Sequence, residues 1–556
     1  MLKFFKKKIE FKKLETINTK QQPDCCNEGS NGNKKDNKKD NNILNRKTNK
    51  NSHNSNNENN DKIPSSISEV KDKLNCTFYL CSDFVIREIE LGTLDTKIII
   101  ACIDGFFDKA LLAENIIEPI VQFNGSVNEI PVFSLIKEKI LCTSDISDLN
   151  SYEDSVAGIL TGDAVLYIDG EEKAVKIGVK SPEKRPVGEP DTEISIKGSR
   201  EGFSENLRTN TILLRRRIKN SRFKVESFKL GEKTNTDIAV CYIEGIAAPE
   251  VIQEVKNRIG RIKIDGILAT GYIEQFIQDG RFPFFPLIGN SEKPDKVAAK
   301  LLEGHIAILA DCTPTVLTVP FLMIESFQSQ EDYFGEYYFG SLMRLLRVFS
   351  FFLSVYLPGL YVAVTAFHQT IIPFKLMLTM AATREGIPFS AFIEALIMII
   401  TFEILREAGL RMPRAIGQAV SIVGAIVLGD AAVSAGIASA PLVIVAALAG
   451  ICSFVVPPLM KNGAVMRLII LVAANIMGLM GIGFVTFIVT IYLCNKKSFS
   501  VPYLAPFSPL QTDSLKDTLI IVPIWKMFTR PRALAINQDF HRSKGKSLSS
   551  RRKRNG

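Results

Sequence analysis

The sequence has few of the residues from which catalytic and metal sites are built. Its 556 residues include only four histidines, far apart at positions 53, 305, 368 and 541. The ten cysteines never form a CxxC pair, so we expect reduced thiols rather than a zinc site or a disulfide framework. The stretch LGEKTNT lacks the glycines of a phosphate-binding loop. These absences predict that the chain is not an enzyme and holds no cofactor or metal.

An apolar segment near the start of the chain is also missing. MLKFFKKKIEFKKLE alternates charged and aromatic residues and contains no signal-peptide core, so the N-terminal half is expected in the cytoplasm. Residues 31–60 contain 13 asparagines and almost nothing that could be buried. This composition predicts a disordered Asn/Lys-rich tail over residues 1–75.

The net charge of +9 is confined to the two ends of the chain. Residues 1–62 carry +7 and residues 529–556 carry +8, which leaves −6 for the body of the protein. A basic C-terminal tail is therefore predicted over residues 496–556. Because the body is acidic, the high overall isoelectric point is no argument for nucleic-acid binding.

The region before the apolar part contains an internal repeat. TKIIIACIDGFFDKALLAENIIEPI (Thr96–Ile120) aligns without a gap to TDIAVCYIEGIAAPEVIQEVKNRIG (Thr236–Gly260). Each copy predicts an apolar strand, an acidic-Gly turn and an amphipathic helix. We predict two similar α/β subdomains, the first over 76–160 and the second, with a β-hairpin and a basic helix, over 161–300.

The β-hairpin and the basic helix have their own signals. AVLYIDG and KAVKIGVK are two apolar runs joined by an acidic-Gly turn, which is typical of a β-hairpin. The helix is predicted in GSREGFSENLRTNTILLRRRIK, with Ser204 as its cap and its arginines pointing away from the apolar stripe. A solvated or subunit-facing helix is the preferred interpretation, because no aromatic stacking platform accompanies the arginines.

Long apolar segments crowd between residues 301 and 495 and predict an α-helical polytopic membrane domain. The first candidate span contains DCTPT in its middle, so a broken or re-entrant helix is expected there. The last is long and glycine-rich, so it is expected to bend, and the count of five or six crossings stays open. The candidates, each near the roughly 20 residues that a bilayer requires, are 304–324, 345–367, 387–405, 415–437, 441–460 and 467–493.

Charged and small residues within these segments are candidate functional positions. Glu394 and Asp430 lie deep in apolar sequence, where an acid is costly, so we expect them to flank an ion pathway. A charged stretch between two apolar segments supplies candidate gating or assembly residues: Glu403, Arg406, Glu407, Arg411 and Arg414. A four-residue repeat of small residues predicts close helix packing at Gly417, Ser421, Ala425 and Gly429.

Several long motifs resemble one family. FEILREAGLRMPRAIGQAVSIVGAIVLGDAAVSAGIASAPLVIVAALAGICSF, EGHIAILADCTPTVLTVP and IKGSREGFSENLRTNTILLRRRIK resemble the A subunits of GerA-type spore germinant receptors. The resemblance extends from about Thr77 to Pro531. One departure is Asp311-Cys312-Thr313-Pro314, where the family usually has Asp-Gly-Thr-Pro; Asp311 and Pro314 are further gating or assembly candidates.

The resemblance implies a role in sensing nutrient germinants in dormant spores. It implies a multi-pass protein of the spore inner membrane, with its N-terminal domain on the core side. It also implies a transporter-like B subunit and a lipoprotein C subunit as partners, and a homo-oligomer that conducts ions as a ligand-gated channel. The acids Glu394 and Asp430 predict that these ions are cations. A secondary transporter of a small solute is the alternative, although no inverted repeat is found in the apolar part.

Overall fold

A computed structural model describes residues 61–91, 94–123, 131–141, 145–179, 188–190, 193, 197–280, 283–411, 429–523, 526–527, 530–531 and 534. The chain divides into two compact units. The first consists of Met1–Tyr79, Phe84–Ile103 and Phe107–Lys180, and the second consists of Leu80–Asp83, Asp104–Phe106 and Ser181–Gly556.

The first unit is built on a five-stranded antiparallel sheet with strand order β1-β2-β4-β5-β3. Its core joins alternate residues of the strands, such as Ile98 and Ile100, to Ile116 and Ile120 of the helical stretch that follows β2. The strands are β1 (Phe84–Leu91), β2 (Leu94–Ile103), β3 (Ile146–Leu149), β4 (Ala164–Ile168) and β5 (Ala174–Ile177).

Short helices cover this first sheet. Two of them continue into π-helical turns, Ala113–Ile117 and Ile136–Ile140. The prediction of a disordered tail over residues 1–75 is wrong for its last residues, which form part of α1. This helix buries Val70 and Leu74, one turn apart, and is held in place by their packing. The α-helices are α1 (Ile67–Thr77), α2 (Lys109–Leu112), α3 (Glu118–Val121), α4 (Val132–Leu135) and α5 (Tyr152–Thr161).

The second unit contains a second antiparallel sheet, of order β6-β7-β9-β10-β8, which repeats the order of the first. In both copies of the sequence repeat the turn after the strand has a glycine at positive φ, Gly105 at 96° and Gly245 at 80°. The predicted pair of similar subdomains is thus confirmed. The strands are β6 (Phe223–Leu230), β7 (Thr236–Ile243), β8 (Gly289–Ser291), β9 (Ile306–Ala310) and β10 (Val316–Val319).

Helices α6 (Leu207–Arg217), α7 (Pro249–Gly260), α8 (Thr270–Ile277) and α9 (Pro294–Glu303) belong to the second sheet. Asn206, rather than the predicted Ser204, caps α6, and its side chain accepts from Thr209 N. Ser204 instead donates its backbone N–H to Asn210.

The β-hairpin forms as predicted but in the first unit, not in the second. It consists of β4 and β5, and β4 pairs with β2 in the register Ile98↔Ile168. All five residues of β4 are buried, so the strand requires neighbours on both edges. The first sheet supplies them, which places the hairpin with the residues before 160.

The candidate first span over 304–324 is wrong. Its two apolar halves are β9 and β10, which pair antiparallel in the centre of the second sheet. Every residue of both strands is buried. A strand buried on both faces reads as a continuous apolar run, so sequence alone could not distinguish the pair from a broken membrane helix.

The rest of the second unit is a helix layer. Of the described residues, two stretches are long and apolar enough to cross a membrane, Tyr337–Ala366 and Pro457–Asn495, and Ala440–Phe454 is a shorter apolar helix. The helices are α10 (Tyr337–Ala366), α11 (Phe374–Arg384), α12 (Ala391–Arg411), α13 (Ala440–Phe454) and α14 (Met460–Asn495).

Helix α14 is a helical hairpin that reverses at Gly478, where φ is 59° and ψ is −138°. Both of its ends meet the same residue beside the second sheet: Asn462 donates to Phe284 O, and Tyr492 Oη accepts from Phe284 N at 3.1 Å. Its tip meets Phe367, just beyond the end of α10. The predicted bend is therefore a full reversal. We call the end of the layer near Phe284 the sheet-side end and the end near Gly478 the far end.

The chain after the helical hairpin returns to the second sheet. Ser498 Oγ donates to Leu287 O at 2.7 Å and accepts from Phe321 N at 3.0 Å. The chain from Lys497 to Asp517, including the short strands β11 (Lys497–Ser498) and β12 (Val501–Pro502), thus lies at the sheet-side end.

Most described cysteines agree with the expectation of reduced thiols. Six are not disulfide-bonded: Cys81, Cys102, Cys241, Cys312, Cys452 and Cys494. Burial raises the pKa of the Cys241 thiol, which keeps it protonated and unreactive. Cys76 is disulfide-bonded, so the expectation is wrong at that residue.

Candidate functional site

A buried ion pair lies inside the helix layer toward its sheet-side end. Arg467 of the helical hairpin is 1% exposed and places Nη1 3.2 Å from Glu403 Oε1 of α12. The same guanidinium donates to Ser354 O and Ser354 Oγ of α10, both at 2.7 Å. One arginine thereby joins three helices. Glu403 was a predicted assembly residue, whereas its partner Arg467 was not among the candidates.

Arg406 lies on the other side of the same carboxylate. Its Nη2 forms a second ion pair with Glu403, one turn earlier on α12. Its Nε and Nη1 are buried and have no hydrogen-bond partner among the described residues. Two cations therefore share one anion in a region of low dielectric, which leaves the cluster with a net positive charge. Two other candidate residues, Glu407 and Arg411, form an ion pair of a different kind from the buried cluster. This pair is exposed and links only neighbouring turns of α12.

Glu394, the first candidate pathway acid, is paired and completely buried. Arg384 at the end of α11 approaches its Oε1 at 3.0 Å. Its Oε2 accepts from the backbone N–H of Ser439 at 3.1 Å. Ser439 is the N-cap of α13, so the carboxylate stabilises that helix end. Tyr361 of α10 reaches the Ser439 hydroxyl at 3.3 Å, which places this cluster toward the far end.

The second candidate acid, Asp430, has a different environment. Its side chain is exposed and lies in the helical residues 429–434. A Cβ added at Gly429 would lie 3.4 Å from Val443 Cγ1 of α13, which is an ordinary van der Waals contact. The structure thus does not bring Glu394 and Asp430 into one described cluster. The other predicted positions, Arg414, Gly417, Ser421 and Ala425, lie outside the described residues.

The turn that contains Asp311 and Pro314 joins β9 to β10. Asp311 Oδ1 accepts from Leu207 N at 3.0 Å, so the carboxylate holds the N-terminus of α6. Cys312 donates its N–H to Glu205 O at 2.7 Å and has a positive φ of 66°. These contacts assign the turn to the packing of the second sheet, away from the helix layer.

The basic helix α6 is packed into the second unit on one side and exposed at Arg208 and Arg216 on the other. Arg215 is 1% exposed and forms a two-point ion pair with Asp83, with Nη2 2.7 Å from Oδ1. Arg217 pairs with Glu201 and Asp295, and Arg208 lies 3.6 Å from Asp104. Arg215 and Arg217 therefore hold the second unit together, so the prediction that the arginines face solvent or a subunit is wrong for these two.

A second charged cluster, missed by sequence reasoning, lies where the helix layer meets the C-terminal segment. Arg344 of α10 is fully buried and lies 2.9 Å from Asp517 and 3.4 Å from Asp332. Arg347 takes the opposite side of Asp332, with Nη1 2.7 Å from Oδ2.

A third cluster holds the second sheet to the segment before α10. Glu325 is buried, with Oε2 2.8 Å from Lys300 and Oε1 3.2 Å from His305 Nε2. Burial alone would raise the pKa of Glu325, but Lys300 and His305 outweigh it and lower that pKa to about 2. Among the described residues, no group of His, Cys, Asp and Glu could hold a metal ion.

Comparison with known proteins gives consistent matches. Residues 72–533 match the Bacillus/Clostridium GerA spore germination protein family. Spore germination protein KA of Bacillus subtilis is 41% identical over 476 residues, which cover 85% of this chain and 87% of that protein. The uncharacterized membrane protein YfkQ of the same species is 42% identical over 471 residues, covering 84% and 91%. The crystal structure of the N-terminal domain of the A subunit of the Bacillus megaterium spore germinant receptor GerK3 is 31% identical, with a TM-score of 0.38, and covers 47% of this chain and 97% of that domain.

Proposed function

The chain belongs to the Bacillus/Clostridium GerA family of spore germination proteins, and on that premise we propose that it is the A-type subunit of a nutrient germinant receptor. In this role it assembles with a transporter-like B subunit and a lipoprotein C subunit. When a nutrient has bound, it transmits that signal to a cation pathway in the spore membrane. The proposal assigns it no enzymatic step.

The arrangement of charges supports a membrane placement with the second sheet on the core side. Lys461, Lys496 and Lys497 lie at the two ends of the helical hairpin, which is the sheet-side end of the layer. Membrane proteins keep such lysines on the cytoplasmic side. Because the C-terminal segment returns to this end, an even number of crossings fits best. Six is therefore preferred over five.

The observation that carries the channel part of the proposal is the set of buried ionic groups inside apolar helices. Glu394 with Arg384 lies toward the far end, and Glu403 with Arg467 lies toward the sheet-side end. Intramembrane charges are costly and face a bundle interior or an aqueous path. We propose that these pairs are closed in the resting receptor. When the pairs separate, Glu394 and the exposed Asp430 favour cations along the route.

Spores carrying single substitutions test this function. Glu394→Gln and Asp430→Asn should reduce nutrient-triggered cation release while leaving the amount of the protein in the membrane normal. Glu407→Gln is the matched control, since it removes an exposed acid of the same helix layer. Normal release from the double mutant, at normal protein levels, would show that the route lies elsewhere.

A secondary transporter remains the second candidate, and reconstitution separates the two. The purified chain alone in vesicles should neither accumulate a solute nor respond to a nutrient. Conductance should appear only when the partner subunits are included. Uptake of a small solute by the chain alone would favour the transporter instead.

A further inference from the structure

Helix α11 is an apolar helix that the described protein leaves uncovered. None of its residues is buried, whereas Phe374 is 68% exposed and Leu378 is 53% exposed. Ile371, just before it, is 60% exposed. Such a row of large side chains is normally covered by protein or lipid.

Contacts place α11 at the far end of the helix layer. The first turns of α10 are tied to Asp332 and Asp517 at the sheet-side end. Its last turn leads to Phe367, which packs against Gly478 at the tip of the helical hairpin. Helix α11 follows within a short turn. At about 1.5 Å per residue its length is about 16 Å, roughly half of what crossing a bilayer requires.

The two exposed sides of α11 differ in polarity. At about 100° per residue, Phe374, Leu378 and Ala381 share one side of the helix. Lys375, Thr379 and Thr383 share the neighbouring side, where Thr379 Oγ1 donates to Lys375 O at 2.7 Å. The third side faces the protein through the half-buried Met377, Met380 and Arg384. Leu376, 52% exposed, lies at the border between the second and third sides. A helix with one apolar side, one more polar side and one flank against protein fits the plane of a membrane surface.

We propose that α11 lies in the plane of the membrane, in the leaflet away from the second sheet, with its Phe374–Leu378 side in the acyl-chain boundary. The occupant of that side is bilayer lipid, because it continues the exposed apolar surface of Phe367 and of the hairpin tip, where Met480 is 75% exposed. Lys375 on the neighbouring side faces water and lipid phosphates. This inference rests on the membrane placement proposed above.

The position of Arg384 connects this anchor to the helix layer. Arg384 ends α11 and pairs with Glu394. The other oxygen of Glu394 accepts from the backbone N–H of Ser439, the N-cap of α13. A lipid-anchored α11 therefore fixes the Arg384 side of that pair at the membrane surface. Movement of α12 or α13 relative to the surface would act directly on the pair.

Tryptophan quenching by brominated lipid tests the proposal on the full chain. The single tryptophan, Trp525, is first replaced by phenylalanine. Phe374→Trp, or Leu378→Trp if the first variant folds poorly, is then reconstituted in vesicles of phosphatidylcholine brominated near the start of its acyl chains. We expect blue-shifted emission that loses intensity to bromine as strongly as that of Ile476→Trp on the exposed side of the helical hairpin.

Thr379→Trp is the matched control on the same helix, and its emission should keep its intensity. Equal quenching of both faces would overturn the orientation. Blue-shifted but unquenched emission from Phe374→Trp, with Ile476→Trp quenched, would mean that protein covers the helix and would also overturn the proposal. If Ile476→Trp is not quenched, the membrane placement itself is wrong and this inference falls with it.

Discussion

Arg467 and Glu403 form an ion pair inside the helix layer, with 3.2 Å between Nη1 and Oε1, although 64 residues separate them in the chain. The pair joins the helical hairpin to α12, and the hydrogen bonds of Arg467 to Ser354 extend the contact to α10. The packing of these three apolar helices therefore depends on the charge of Arg467 and Glu403.

Glu403→Gln should therefore destabilise the protein. It leaves the buried Arg467 without an anion, a change that costs about 3 kcal/mol or more for a buried pair. Thermal unfolding of the detergent-solubilised chain measures the loss. Glu407→Gln should change the stability by less than about 0.5 kcal/mol, because that acid is exposed.

Replacing Arg406 should cost much less stability than replacing Arg467. Arg406→Met removes a cation whose Nε and Nη1 have no hydrogen-bond partner among the described residues. It leaves the Glu403–Arg467 pair intact. It should be tolerated, whereas Arg467→Met should not. Equal losses from Glu403→Gln and Glu407→Gln, or from the two arginine variants, would mean that these charges only orient the helices during insertion.

The reversal of the helical hairpin should require glycine at Gly478. Its φ of 59° is strained for other residues, and a Cβ there would lie 2.9 Å from His368 Cε1. Gly478→Ala should lower the yield of folded protein and its unfolding temperature. Gly483→Ala is the control, since its Cβ would meet nothing within 4 Å. Similar behaviour of the two variants would show that the turn is not the critical feature.

Cys312→Gly should stabilise the protein. Cys312 has a φ of 66° in the β9–β10 turn, a conformation that costs about 1–2 kcal/mol for a residue with a Cβ. Glycine removes the cost, so unfolding should require about 1 kcal/mol more free energy. Cys312→Ala keeps the Cβ and should give no gain. A gain from alanine as large as that from glycine would assign the effect to the thiol instead.

Stability should fall in acid partly through Glu325. The pKa of its carboxyl is lowered from 4.5 to about 2 in the folded protein by Lys300 and His305. A lowered pKa in an acid stabilises the fold above the unfolded value, and the stabilisation is lost as the pH falls from about 4.5 to about 2. The loss should amount to about 2–3 kcal/mol over that window.

Unfolding of the wild type and of Glu325→Gln at several pH values measures this dependence. The variant should be less stable near neutral pH and should show a flatter acid limb. Glu232→Gln, at an exposed position, should follow the wild type throughout. An unchanged acid limb in Glu325→Gln would contradict the assignment.

Local sequence determined the repeated plan of the two sheets and the helical character of the last third. The strand, acidic-Gly turn and helix of Thr96–Ile120 and Thr236–Gly260 depend on neighbours in the chain, so periodicity and glycine position were sufficient to predict them. Tertiary structure alone decided what the apolar runs pair with. Ile306–Ala310 and Val316–Val319 became strands because β7 and β8 offered free edges. Arg215, Arg344 and Arg467 became buried because Asp83, Asp517 and Glu403 met them from distant segments. The cost of burying a charge is offset only by a partner in space, and a sequence pattern does not show which partner that will be.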